Sequence, residues 1–109
     1  MLRDWTYVSD TAAGVVAAAE RRLGYEIINL GRGEPVRLAD FVGTLERLAG
    51  KKPRLVSTPM IDADVSATCA DIGKARQLLG YSPAVSVQQG VQRFFEWYVA
   101  NALPGTPPA

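Results

Sequence analysis

The chain of 109 residues has no histidine and a single cysteine, Cys69. One cysteine excludes an internal disulfide, and without histidine nearly every zinc, haem or iron–sulfur ligand set is out of reach. Acid–base catalysis by an imidazole goes with it. A lone thiol with no histidine to activate it reads as a small, half-buried packing residue, not a nucleophile. Neither sign of charge dominates: 12 basic and 11 acidic residues leave a net charge of +1. The charges are scattered and no aromatic platform accompanies the bases, so nothing draws the chain to nucleic acid. No apolar run approaches the ~20 residues of a bilayer span, and the amino terminus lacks the apolar stretch of a signal peptide. A cytoplasmic protein without membrane contact is the expectation.

What is present belongs to an ordinary globular chain, with 48% hydrophobic and 21% charged residues. A chain this short buries only about two thirds of its unfolded surface, so apolar faces left over would seek a second copy or another partner.

Trp5 to Val8 is aromatic and β-branched and reads as a short strand, with Ser9 and Asp10 placed to cap a helix. That helix carries Ala12, Val15, Val16, Ala19 and Leu23 on one stripe and ends at Gly24. Tyr25 to Leu30 is apolar on both alternating faces apart from Glu26 and Asn29, the pattern of a strand covered on two sides. After the Gly31–Pro35 turn, Val36 reads as a short edge strand. Leu38, Phe41, Val42, Leu45 and Leu48 form a second stripe closed by Gly50. Arg54 to Thr58 reads as a third strand, followed by an acidic loop from Pro59 to Ser66. Asp71 can cap a short helix that Gly80 stops, and Ser86 with Gln89 forms a capping box for a last helix with Val87, Val91, Phe94, Phe95 and Tyr98 on its stripe. Strands alternating with helices define an α/β class. Residues 1–101 read as one unit and 102–109, rich in proline, as a disordered tail.

Arg3 is the first candidate for chemistry. A guanidinium fork can make two parallel charge-assisted hydrogen bonds to phosphate oxygens, which lysine cannot copy; taken alone, Arg3-Asp4 reads as a solvated surface pair, and spacing does not lift it. The run Arg3-Asp4-Trp5-Thr6-Tyr7-Val8-Ser9-Asp10 resembles a block of extended short-chain dehydrogenase/reductases, the NAD-dependent epimerases and dehydratases of nucleotide sugars. Asp71-Ile72-Gly73-Lys74-Ala75, with Leu79-Gly80-Tyr81 and Pro83, resembles a frequent ending of the same family, and Asn29-Leu30-Gly31 its strand end. With Pro35-Val36 and Phe94-Phe95-Glu96-Trp97-Tyr98, the pattern looks closest to UDP-glucuronate 4-epimerase-like members.

The resemblance implies that Arg3 contacts the pyrophosphate of a nucleotide sugar. Asp64 stands where relatives place an aspartate near the ribose, and it reads either as that contact or as a plain solvated loop residue. The arginine that accompanies it in relatives is replaced by Ile61. Asn29 reads as a ligand contact or as a side chain satisfying the backbone of its own turn. The family's cofactor turn and tyrosine–lysine pair are missing: Gly31-Arg32-Gly33 runs into Glu34-Pro35, and no tyrosine has a lysine four residues on. The chain therefore reads as a carboxy-terminal, substrate-binding part without the amino-terminal Rossmann core. It carries no cofactor site of its own, NAD being implied for the parent. The alternative is a non-catalytic interaction module of the same descent, for which a homodimer is one partner.

Overall fold

The computed structural model describes residues 1–102. Six elements follow one another: β1 (Leu2–Arg3), α1 (Val8–Ala19), β2 (Val36–Arg37), α2 (Leu38–Ala49), α3 (Gly73–Leu79) and α4 (Val87–Asn101). β1 and β2 pair antiparallel, Leu2 opposite Arg37 and Arg3 opposite Val36. On its other side β1 meets the Ser66–Thr68 stretch, where Leu2 N–H donates to Ser66 (2.9 Å) and Thr68 N–H to Leu2 (3.1 Å). The start of the chain is thus held from both flanks.

The helices form two pairs, α1 on α3 and α2 on α4. Ile72, Ala75, Leu79 and Tyr81 make the buried centre of the first, with Ala17, Ala18, Leu23, Ile28 and Leu30 packed around them. In the second, Trp5 stacks on Phe41 at 4.2 Å between ring centroids, and Tyr7 lies against Gly90, where an added Cβ would come within 3.0 Å of its ring. Asp4 to Tyr7 is the strip that joins the two pairs.

Several expectations hold. α2 ends at Gly50 and α3 at Gly80, both left-handed at φ 64°, a conformation glycine adopts without steric cost. The Ser86–Gln89 capping box is complete. At α3 the N-cap place falls to Ile72 and not to Asp71, whose Oδ1 accepts from Gly73 N–H at 3.0 Å from one position earlier.

Others are corrected. The first strand lies at Leu2–Arg3 and Val8 already begins α1, because the ladder partners on either side reach only the first residues. Tyr7 stands at the N-cap and no side chain caps the helix. Asp10 instead sits 8% exposed, and its two carboxylate oxygens accept from Ala84 and Val85 N–H at 3.0 Å each. α1 stops at Ala19, and the buried face is Asp10, Gly14, Ala17 and Ala18; Val15 and Val16 are more than half exposed. Tyr25 to Leu30 and Arg54 to Thr58 form no strand, since neither finds a backbone partner among the described residues. Ile28 and Leu30 of the former still point inward while Tyr25 and Ile27 stand out at 88% and 71% exposure. Ala102 is the C-cap residue of α4, and the rest of the expected tail lies outside the described residues. Among those residues no helix is long and apolar enough to cross a membrane.

Candidate functional site

Arg3 and Asp64 are brought together. The ladder fixes the Arg3 backbone, and a turn in which Asp64 N–H donates to Ile61 C=O at 2.9 Å brings the acidic loop back beside it. Arg3 Nη2 donates to Asp64 Oδ1 at 2.6 Å, and Nη1 donates to the Leu2 carbonyl at 2.8 Å. Asp64 Oδ1 also accepts from Val65 N–H at 2.8 Å. The Arg3 side chain is 21% exposed and that of Asp64 40%. The guanidinium is therefore anchored through one N–H at each end of its fork, and among the described residues the hydrogen bonds to the Asp64 carboxylate go to Oδ1.

Asn29 lies elsewhere. Its amide donates to the Asp71 carbonyl at 3.4 Å, in a shallow hollow shared with Asp4, Gly31, Thr68 and Cys69, and neither Arg3 nor Asp64 lines that hollow. Cys69, expected to be half-buried, is exposed there, with its Sγ 3.7 Å from the Gly33 carbonyl. The apolar pocket between α2 and α4, about 180 Å³ and walled by Trp5, Phe41, Val87, Val91 and Phe94, includes none of the three candidates.

Asp4 is a residue the motif reading passed over. Its carboxylate accepts from the backbone N–H groups of Arg32 (3.0 Å), Gly33 (3.0 Å) and Ala70 (2.9 Å). Those amides of the Gly31–Gly33 turn are the kind of donors that would cradle a phosphate, and an internal carboxylate occupies them. Gly31 is also packed shut: an added Cβ would lie 2.5 Å from that of Ala70. Tyr81 O–H donates to the Gly31 carbonyl at 2.6 Å and Arg32 Nη1 to Pro83 at 3.0 Å, so the turn is fastened from below as well. The one sequence cue was an acid beside a Gly-x-Gly turn partner that only the fold brings close, 28 residues away.

Two helix pairs hung on a ladder, with a clamped arginine at its edge, make up a small α/β unit. In the comparisons the chain is similar to the carboxy-terminal part of NAD-dependent UDP-sugar epimerases of the extended short-chain dehydrogenase/reductase family. It is 43% identical over 100 residues to the UDP-glucuronate 4-epimerase of Thermodesulfobacterium geofontis, covering 91% of this chain and 31% of that protein. An uncharacterised protein of Methanocaldococcus jannaschii is 42% identical, with 93% and 31% covered. The crystal structure of the UDP-glucuronic acid 4-epimerase of Bacillus cereus, in complex with UDP-glucuronic acid and NAD, superposes with a TM-score of 0.82 at 35% identity, over 87% of this chain and 31% of that one. No protein-family profile matches the chain. It spans about a third of the length of the relatives it matches.

Proposed function

We propose that this chain is the nucleotide-sugar-holding part of an NAD-dependent UDP-sugar epimerase and is catalytically silent by itself. Arg3 grips the diphosphate, and Asp64 accepts the ribose hydroxyls through its unengaged oxygen. In the parent, bound NAD takes a hydride from the sugar and returns it; the residues of this chain bind and orient the nucleotide end. A cytoplasmic address goes with that role. The observation that supports the reading is the guanidinium of Arg3, four-fifths covered, tethered at two points and paired with a carboxylate from a distant loop. An arginine on a solvated surface would keep its rotamers, because ordering a long side chain costs entropy that an exposed pair barely offsets.

Calorimetric titration with UDP-glucuronate tests it. Wild type binds, and Arg3→Ala binds at least tenfold more weakly, as expected for charge-assisted bonds of about 1.5–3 kcal/mol. Equal affinity, or no binding by either, contradicts the assignment.

A second reading, an interaction module, is favoured by one observation: the exposed apolar faces at Val15 and Val16 and at Tyr25 and Ile27 lie on neighbouring segments. The two readings are compatible if those faces meet the amino-terminal part of the parent.

A further inference from the structure

The ladder that carries Arg3 changes its bonding one residue later. On the side facing residues 66–70, Leu2 makes both bonds of a parallel bridge opposite Ala67: its N–H donates to Ser66 C=O at 2.9 Å and its C=O accepts from Thr68 N–H at 3.1 Å. A parallel ladder places its next rung two residues on, from Asp4 N–H to Thr68 and from Ala70 N–H to Asp4. Both bonds are made, but to side chains. Asp4 N–H donates to Thr68 Oγ1 at 3.3 Å and Ala70 N–H to Asp4 Oδ2 at 2.9 Å, each oxygen serving in place of the same residue's backbone carbonyl. The same carboxylate takes the N–H groups of Arg32 and Gly33, both at 3.0 Å. One side chain thus ties β1 to the Gly31–Gly33 turn and to the stretch that leads back to Asp64.

Arg3 lies between Leu2 and Asp4, and the consequence falls on it. Two stretches joined at a single rung can pivot about it, and a second rung fixes the angle between them. Asp64 stands two residues before Ser66 on the same stretch, so the angle set at Asp4 decides where its carboxylate meets the guanidinium. We infer that Asp4 is a positioning residue: through its side-chain rung with Thr68 and Ala70 it holds Arg3 and Asp64 in their observed geometry. The nucleotide-sugar reading of Arg3 gives that geometry its use in binding, while the positioning itself exists in the free protein. Asparagine cannot take the place of Asp4, since its amide has one acceptor oxygen and turns an NH2 donor towards backbone donors.

The test compares wild type, Asp4→Asn, Arg3→Ala, the double variant and Asp10→Asn. Asp10 is the control, a buried carboxylate that likewise accepts two backbone N–H groups, those of Ala84 and Val85, none of them in β1 or in 64–70. In the free proteins, nitrogen-15 NMR of the arginine side chains shows an ordered Arg3 guanidinium in wild type and Asp10→Asn and a motionally averaged one in Asp4→Asn. Towards UDP-glucuronate, Asp4→Asn binds about three- to tenfold more weakly than wild type and Asp10→Asn binds as wild type. Adding Asp4→Asn to Arg3→Ala changes affinity by less than about twofold, because the effect travels through Arg3. An ordered Arg3 in folded Asp4→Asn, an equal loss in Asp10→Asn, or losses that multiply in the double variant overturn the inference. If Asp4→Asn does not fold, Thr68→Val against Thr68→Ser carries the same two measurements, since serine keeps the hydroxyl rung and valine deletes it. If wild type binds no UDP-glucuronate, the nucleotide-sugar reading falls, and the NMR comparison still decides the positioning.

Discussion

Three carboxyl and phenol groups hold this small unit in shape by satisfying backbone donors and acceptors that its short ladder leaves over. Asp4 gathers the 32–33 turn and Ala70, Asp10 gathers the 84–85 strip, and Tyr81 closes on Gly31. Burial pushes the Tyr81 phenol above its ordinary value of 10.0, with the negative charges of Asp10 and then Asp4 adding to the rise and Arg32 opposing it. A group whose acid form is favoured in the folded state contributes its stability below the unfolded pKa and loses it as pH rises through the folded one. Tyr81 therefore stabilises the fold at neutral pH and ceases to do so above about pH 10. Replacing it with phenylalanine removes the bond to Gly31 and costs about 1 kcal/mol at neutral pH. Urea unfolding followed from neutral to alkaline pH should show wild type losing its advantage over Tyr81→Phe above about pH 10. A gap that persists unchanged there assigns the effect to packing alone.

Among the elements, α1 carries the clearest lesson about what sequence can and cannot say. Helical spacing of apolar residues picks Ala12, Val15, Val16, Ala19 and Leu23 as the inner face, of which Leu23, past the end of the helix, does pack on the core. The structure buries the neighbouring stripe of Asp10, Gly14, Ala17 and Ala18, since small residues let the helix come close to Leu30 and Tyr81. A Cβ on Gly14 would lie 2.7 and 2.8 Å from the Leu30 methyls and 3.1 Å from the Tyr81 ring. Gly14→Ala is thus expected to destabilise by about 1–3 kcal/mol through overpacking, although alanine in a helix interior is worth about 1 kcal/mol over glycine by propensity. Chemical denaturation decides it, and a stabilised variant would show that the helix shifts outward freely. Neither end expected for α1 was legible, whereas the ends of α2 and α3 and the start of α4 were, because the glycine stops at 50 and 80 and the Ser86–Gln89 box act through local backbone geometry. So were Arg3 and Asp64 as candidates. Their pairing was not, since 61 residues separate them and only the fold closes that distance. The strand expected over Tyr25 to Leu30 failed for a related reason: alternating apolar residues specify burial, but a strand exists only where another backbone offers its donors and acceptors.

At the largest scale the described residues form a slab, 48 × 39 × 21 Å, with a radius of gyration of 16.9 Å. A compact chain of this length would have about 13 Å. A slab one or two layers thick has much surface for its volume, which is why Val15, Val16, Tyr25, Ile27, Leu55 and Val56 stand exposed. On its own the chain should associate with itself: sedimentation velocity is expected to show a concentration-dependent dimer that Val15→Glu with Ile27→Glu returns to monomer. A monomer at every concentration would mean that the faces are tolerated in water as they are. The central claim concerns charge and geometry at one residue, and the most direct measurement is a calorimetric titration of UDP-glucuronate into wild type and Arg3→Lys. Lysine keeps the positive charge and loses the planar fork, so the account predicts that most of the affinity disappears with it. Affinity retained in Arg3→Lys, or binding that ignores residue 3 altogether, would contradict the account.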